Sequence, residues 1–99
     1  MPPHVDRTEP PMDGILKGDT LVFHGWSFAF LVDAAVVVVD SEGRPVDFER
    51  TFDGEWVGEG DAPGSRQYRS VLRVRLQGLV PGARYRARFM ECEVAFVAE

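Results

Sequence analysis

Apolar and polar residues alternate with a period of two through much of this chain, and no stretch carries a repeat of three to four. That pattern predicts strands with one buried face, and no helices. In "QYRSVLRVRLQ", residues 67–77, Tyr68, Ser70, Leu72, Val74 and Leu76 take one face, while Gln67, Arg69, Val71, Arg73 and Arg75 take the other. In "ARYRARF", Tyr85, Ala87 and Phe89 face in and Arg84, Arg86 and Arg88 face out. Such strands belong to an antiparallel sheet with one wet side. After Phe89 the apolar positions become Met90, Cys92, Val94 and Phe96, a change of parity that calls for a bulge or a tight turn.

Earlier segments fit the same scheme. "KGDTLVFHGWSFAF" places Leu21 and Phe23 on one parity and Trp26, Phe28 and Phe30 on the other. The switch falls at His24–Gly25, so a bend or bulge is expected there. "AAVVVVDSEGRPVDF" reads as strand, turn, strand. Its four valines favour β structure and suit a strand with both faces, or one face and an edge, covered. The Asp, Ser, Gly and Pro of "DSEGRP" close the turn. Phe48, Phe52 and Trp56 add core candidates, and "VGEGDAPGSR", with three glycines and a proline, reads as a loop. Residues 1–13 hold four prolines and no apolar period, which predicts an extended N-terminal arm outside the core. The domain proper is then 14–99, an all-β antiparallel sandwich or small barrel. With 99 residues, 44% of them hydrophobic, the chain suffices for one such core.

The stretch "LQGLVPGARY" sharpens that assignment. It resembles the Leu-x-Gly-Leu-x-Pro-Gly-x-x-Tyr pattern of fibronectin type III and related immunoglobulin-like domains, met here by Leu76, Gly78, Leu79, Pro81, Gly82 and Tyr85. The resemblance implies a tyrosine corner. Its ring packs inside, its hydroxyl bonds back to the preceding connection, Leu79 plugs the end of the sandwich, and Pro81–Gly82 makes the turn. It also implies that the strands on either side lie in different sheets. Their arginines would then decorate opposite outer faces, which avoids the like-charge contacts of a simple hairpin. Glu49, Glu91 and Glu93 would serve as cross-strand partners. Only ten residues follow Phe89, so the last strand is expected to be short or completed by another chain. "KGDTLVF", "DSEGRPVDF" and "GLVPGARYRARF" further resemble small β-sandwich proteins of tailed-phage particles, which serve as head decorations, connectors or tail accessories.

Charge adds a further constraint. The net charge is −5, but from Ala62 to Met90 there is no acidic residue and there are seven arginines, for +7, against −12 over the remainder. Such a split suggests complementary surfaces within the fold or between copies. The partner-binding candidates are Arg69, Arg73, Arg75, Arg84, Arg86 and Arg88, suited to bidentate contacts with carboxylates. Nucleic acid is not the expected partner, because the chain is acidic overall and the basic strands lack surface aromatics for stacking bases. No catalytic residue, metal ligand or cofactor is expected. Ser27 or Ser70 with His24 lacks a nucleophile-elbow motif. Cys92 sits in an apolar alternation. Asp53, Glu55, Glu59 and Asp61 are clustered carboxylates without the spacing of a calcium loop. One cysteine, no apolar N-terminal run and no span long enough for a bilayer predict a soluble protein made in the cytoplasm without a signal peptide. The expected function is a non-enzymatic structural or assembly protein, a phage virion accessory that binds neighbouring subunits including copies of itself. The alternative is a carbohydrate- or ligand-binding module presenting Trp26 and Trp56.

Overall fold

The computed structural model describes residues 4–26, 28, 35–59 and 66–99, with the side chains of 55–59 and 66–68 excepted. The described residues form eight strands in chain order: β1 (His4–Glu9), β2 (Gly14–Leu16), β3 (Thr20–Trp26), β4 (Val36–Asp40), β5 (Phe48–Glu59), β6 (Arg66–Leu76), β7 (Arg84–Phe89) and β8 (Cys92–Ala98). They form two four-stranded sheets. Sheet A has the order β1-β3-β6-β5 and sheet B the order β2-β8-β7-β4. All the pairings are antiparallel except β2 with β8. The protein is thus an all-β two-sheet structure, as the period-two pattern predicts.

The core lies where the inner parities meet. Leu21 and Phe23 of β3, Leu72, Val74 and Leu76 of β6, and Ala87 and Phe89 of β7 are all buried. Phe89 is central. Its ring meets Phe28 at 5.0 Å and Phe23 at 5.6 Å, both edge to face, and Phe52 at 6.1 Å. Because Phe23 and Phe52 belong to sheet A and Phe89 to sheet B, this aromatic cluster joins the two sheets. The one fully buried polar side chain among the described residues, Ser70, accepts the Phe28 N–H at 3.0 Å, which removes the cost of burying its hydroxyl unpaired.

The connection between β6 and β7 crosses from sheet A to sheet B. Ala83 N–H donates to Val80 O at 3.0 Å, closing a turn with Pro81 at its second position and Gly82, at φ +81°, at its third. Proline supplies the fixed φ and glycine the positive one, as a type II turn requires. The Tyr85 ring is buried and stacks on Phe96 at 5.9 Å, and its hydroxyl accepts the Val80 N–H at 2.8 Å. Leu79 packs half-buried against the core. Tyr85→Phe keeps the ring but leaves the Val80 N–H without this acceptor. It is expected to lower stability by about 1–2 kcal/mol with no change of fold, measured by urea unfolding.

Four expectations need correction. The proline-rich segment does not stand off as an arm: His4–Glu9 is strand β1, paired with β3, and Val5 packs on the core. Buried Pro10 and exposed Pro11 follow that strand where the chain leaves sheet A for sheet B, since proline cannot continue a ladder. Next, β3 neither bulges nor changes parity at Gly25. Its pairing with β6 is regular from Thr20↔Arg75 to Trp26↔Arg69, and the register shift lies on β1, between Val5 and Arg7. Gly25 holds an inward position with no side chain, the Phe28 ring closes over it, and Trp26 points outward. The parity change after Phe89 is a two-residue turn at Met90–Glu91, with Met90 at φ +58°. That short turn leaves room for a seven-residue β8, placed centrally between β7 and β2, so no second chain is needed to complete it. Finally, β5 continues through 57–59 where a loop was expected. The expectations for Ser27, Phe30 and Asp61, and for the side chains of Glu55, Trp56, Glu59, Gln67 and Tyr68, fall outside the described residues.

Candidate interaction surface

The six candidate arginines divide between the two outer faces, three on β6 in sheet A and three on β7 in sheet B. Their surroundings differ. On sheet A, β6 runs beside the acidic strand β5. Arg75 lies opposite Glu49, and its Nε donates to Asp19 Oδ2 at 3.1 Å. Arg73 is ion-paired with Asp53 across the same strand pair. Arg69 sits between Trp26 and Glu55 in the register, with its guanidinium 5.4 Å from the Trp26 ring. Asp53 and Asp19 thus compensate Arg73 and Arg75 locally.

On sheet B the β7 arginines line up between valines of β4 and a mixed column of β8. Arg84, Arg86 and Arg88 face Val97, Ala95 and Glu93 of β8 on one side, and Arg86 and Arg88 face Val39 and Val37 of β4 on the other. Arg84 Nη1 lies 3.5 Å from Asp13, Arg86 Nη1 lies 3.3 Å from Glu93, and Arg88 Nε donates to the Met90 carbonyl at 3.3 Å. Met12, Ile15 and Val37 are among the most exposed large apolar side chains, at 56%, 60% and 49%. Two adjoining depressions, of about 260 and 360 Å³, share Arg86 and Glu93 as walls. The sequence pattern shows the arginines, but it cannot show that Asp53 and Asp19 compensate Arg73 and Arg75 and that Val39 and Val37 lie beside Arg86 and Arg88.

The remaining candidates fall elsewhere. Ser70 lies on the inner face of sheet A and His24 on the outer, so they make no nucleophile–base pair. His24 Nε2 instead lies 3.4 Å from Glu9. Burial raises the Cys92 thiol above its ordinary range, which disfavours the thiolate that nucleophilic chemistry needs. Among the described residues no three His, Cys, Asp or Glu side chains gather as metal ligands, and Asp53 is engaged by Arg73. The Trp26 indole N–H donates to Asp6 Oδ2 at 2.7 Å, and Arg69 stacks on its ring. A sugar stacked on Trp26 would have to share the ring with that guanidinium. No helix among the described residues is long and apolar enough to cross a membrane.

Three surface carboxylates are held below the ordinary carboxylate range. For Glu9 the main cause is the hydrogen bond from Arg7. For Asp19 it is the Thr20 hydroxyl and then Arg75. For Asp40 it is the backbone N–H of Arg44, joined by the N–H of Glu42 and the Arg44 side chain. A carboxylate whose folded pKa lies below its unfolded one stabilises the protein above the unfolded value, and that contribution fades as pH falls through the folded one. Urea midpoints are therefore expected to hold down to about pH 5 and to fall below about pH 4. Asp19→Asn with Asp40→Asn should make that fall shallower, and an unchanged pH profile in the double variant would refute the assignment. Comparisons with protein-family models, with curated proteins and with solved structures return no match for this chain.

Proposed function

We propose that this chain is an immunoglobulin- or fibronectin type III-like sandwich that acts as a non-enzymatic assembly module, making its contacts through the outer face of sheet B. Lettering the strands along the chain supports the fold assignment. With β2 set aside as an extra strand, sheet A follows A-B-E-D and sheet B follows G-F-C, the immunoglobulin orders. Tyr85 at the start of the strand lettered F, bonded to the preceding connection, agrees with this.

One observation carries the function. Three arginines lie in a row on the outer face of sheet B, two of them beside the half-exposed Val37 and Val39 of β4, with Val97, Ala95 and Glu93 of β8 on the other side. Arginine beside apolar surface is the composition enriched at protein interfaces, and it complements acidic surface on a neighbouring subunit. A repeating particle such as a tailed-phage virion, whose small sandwich proteins the sequence resembles, supplies such neighbours in many copies, and multiplicity raises avidity. The acidic remainder of this chain makes other copies suitable neighbours as well. Sedimentation velocity at rising protein concentration is expected to show species above monomer at low salt that dissociate as salt rises. A strictly monomeric chain at every concentration and salt overturns the proposal.

A further inference from the structure

Strand β8 has β7 along one edge, but its other edge is only partly covered. β2 pairs with Phe96, Val97 and Ala98 alone. Ahead of β2 the chain caps one more residue: Ala95 N–H donates to the Met12 sulfur at 3.3 Å, and Ala95 O accepts the Asp13 N–H at 2.7 Å. β1 belongs to the other sheet, so among the described residues no strand pairs with Cys92–Val94 on this side. Backbone groups along a strand alternate sides with a period of two. Glu93 therefore points its N–H and C=O the same way as Ala95, and among the described residues no backbone group meets them. Cys92 also lines a cleft of about 570 Å³, whose other described walls are His4 and Val5 of β1 and Met90 and Glu91 of the preceding turn. The cleft thus has sheet A on one side and sheet B on the other.

We infer that a partner protein adds an extended strand to this open edge, pairing with Cys92–Val94 and directing apolar side chains into the cleft. β2 sets the precedent on the same edge. It is an extended segment added to β8, with Leu16 buried in the core and Ile15 exposed. Open edge groups hold an added strand through its main chain, and its side chains, alternating between the two faces, set which strand is taken. Cys92 and Val94 face inward, so the two residues beside them face inward as well, toward Val5, Met90 and Cys92, which pack partly buried against the core. Those two side chains are apolar. The residue between them stands beside Glu93 on the outer face, two positions from Glu91, and is basic. The occupant is therefore an apolar–basic–apolar segment. A second copy does not supply it through the same edge, because antiparallel pairing of the edge with itself sets Glu93 beside Glu93. The site is the edge of β8 and not the row of β7 arginines, so it stands or falls apart from the assembly reading.

The test is an NMR titration of the isotope-labelled full chain with a capped synthetic peptide carrying Leu-Lys-Leu at its centre. The peptide is expected to shift the amides of Cys92, Glu93, Val94 and Val5, and to slow hydrogen exchange at the Glu93 amide. Glu93→Pro removes that N–H from a residue whose backbone points away from β7, a place where a sheet tolerates proline. It should weaken binding about tenfold or more. Backbone N-methylation of the peptide should cost as much, with the protein unaltered. Ser in place of both Leu should weaken binding about tenfold, and Glu in place of Lys about two- to fivefold. No binding, shifts without slower exchange at Glu93, shifts confined to Arg86 and Arg88, or equal binding of the N-methylated peptide overturns the inference.

Discussion

Phe89→Ala is expected to destabilise the protein by about 3–5 kcal/mol, the range for truncating a buried aromatic ring. Phe89 is fully buried and meets Phe23, Phe28 and Phe52 at ring distances of 5.0 to 6.1 Å. Removing it empties a space walled by three rings that belong to a different sheet or to the connection beyond β3, so no single strand can slide in to refill it. The edge-to-face contacts with Phe23 and Phe28 add about 0.5–1.5 kcal/mol each beyond the area buried. A domain of this size has about 5–15 kcal/mol in all, so the variant should be marginally folded at best. Chemical denaturation would show the midpoint falling with an unchanged slope, and Phe89→Leu should recover much of the loss. A loss below about 1.5 kcal/mol would mean that the cluster does not join the sheets as described.

Gly25→Ala carries the second large effect, by a different mechanism. A Cβ there would lie 2.0 Å from the backbone oxygen of His4 and 2.8 Å from Cζ of Phe28. The ring could rotate at some cost in core packing, but the carbonyl belongs to β1 and moves only with the strand. Overpacking usually costs about 1–3 kcal/mol, and a clash with backbone should reach the top of that range. The damage should also be local. Hydrogen exchange is expected to show β1 amides losing protection together with the side of β3 that faces them, while sheet B stays protected. Uniform protection and an unchanged denaturation midpoint would rule out the close approach of β1 at this glycine.

Gly25 also shows why part of the fold escapes sequence reading. Its neighbours Trp26 and Phe28 look like an apolar pair of shifted parity, and a bulge is the local explanation. In the structure the strand keeps its parity, and a residue beyond it turns back to fill the place of a missing side chain. That choice depends on Phe89 standing across the core, 5.0 Å from the Phe28 ring, and nothing within a few residues of Gly25 reports it. β1 was hidden for a related reason. As an edge strand it has one paired side and mostly half-exposed residues, so it carries no alternation, and the prolines beside it outweigh it in composition. By contrast β6, β7 and the corner between them were readable residue by residue. The two faces of each strand differ sharply, and Pro81, Gly82 and Tyr85 each satisfy a demand of the turn itself.

The same boundary runs through the candidate surface. That Arg84, Arg86 and Arg88 face water follows from the alternation around them, and so does the outward position of Arg69, Arg73 and Arg75. Which of them face carboxylates does not follow, because β5 and β6 are sheet neighbours while β7 lies between β4 and β8. The placement of Met12 and Asp13 on sheet B depends in the same way on where the chain changes sheets. By itself the sequence determined the period of the strands, the inward and outward side of the central ones, and the turn at Tyr85, since each is set by dihedral angles and burial within a few residues. The tertiary structure alone decided the edges, the filling of the space at Gly25 and the partners of each arginine, since each depends on strands distant in sequence being brought side by side.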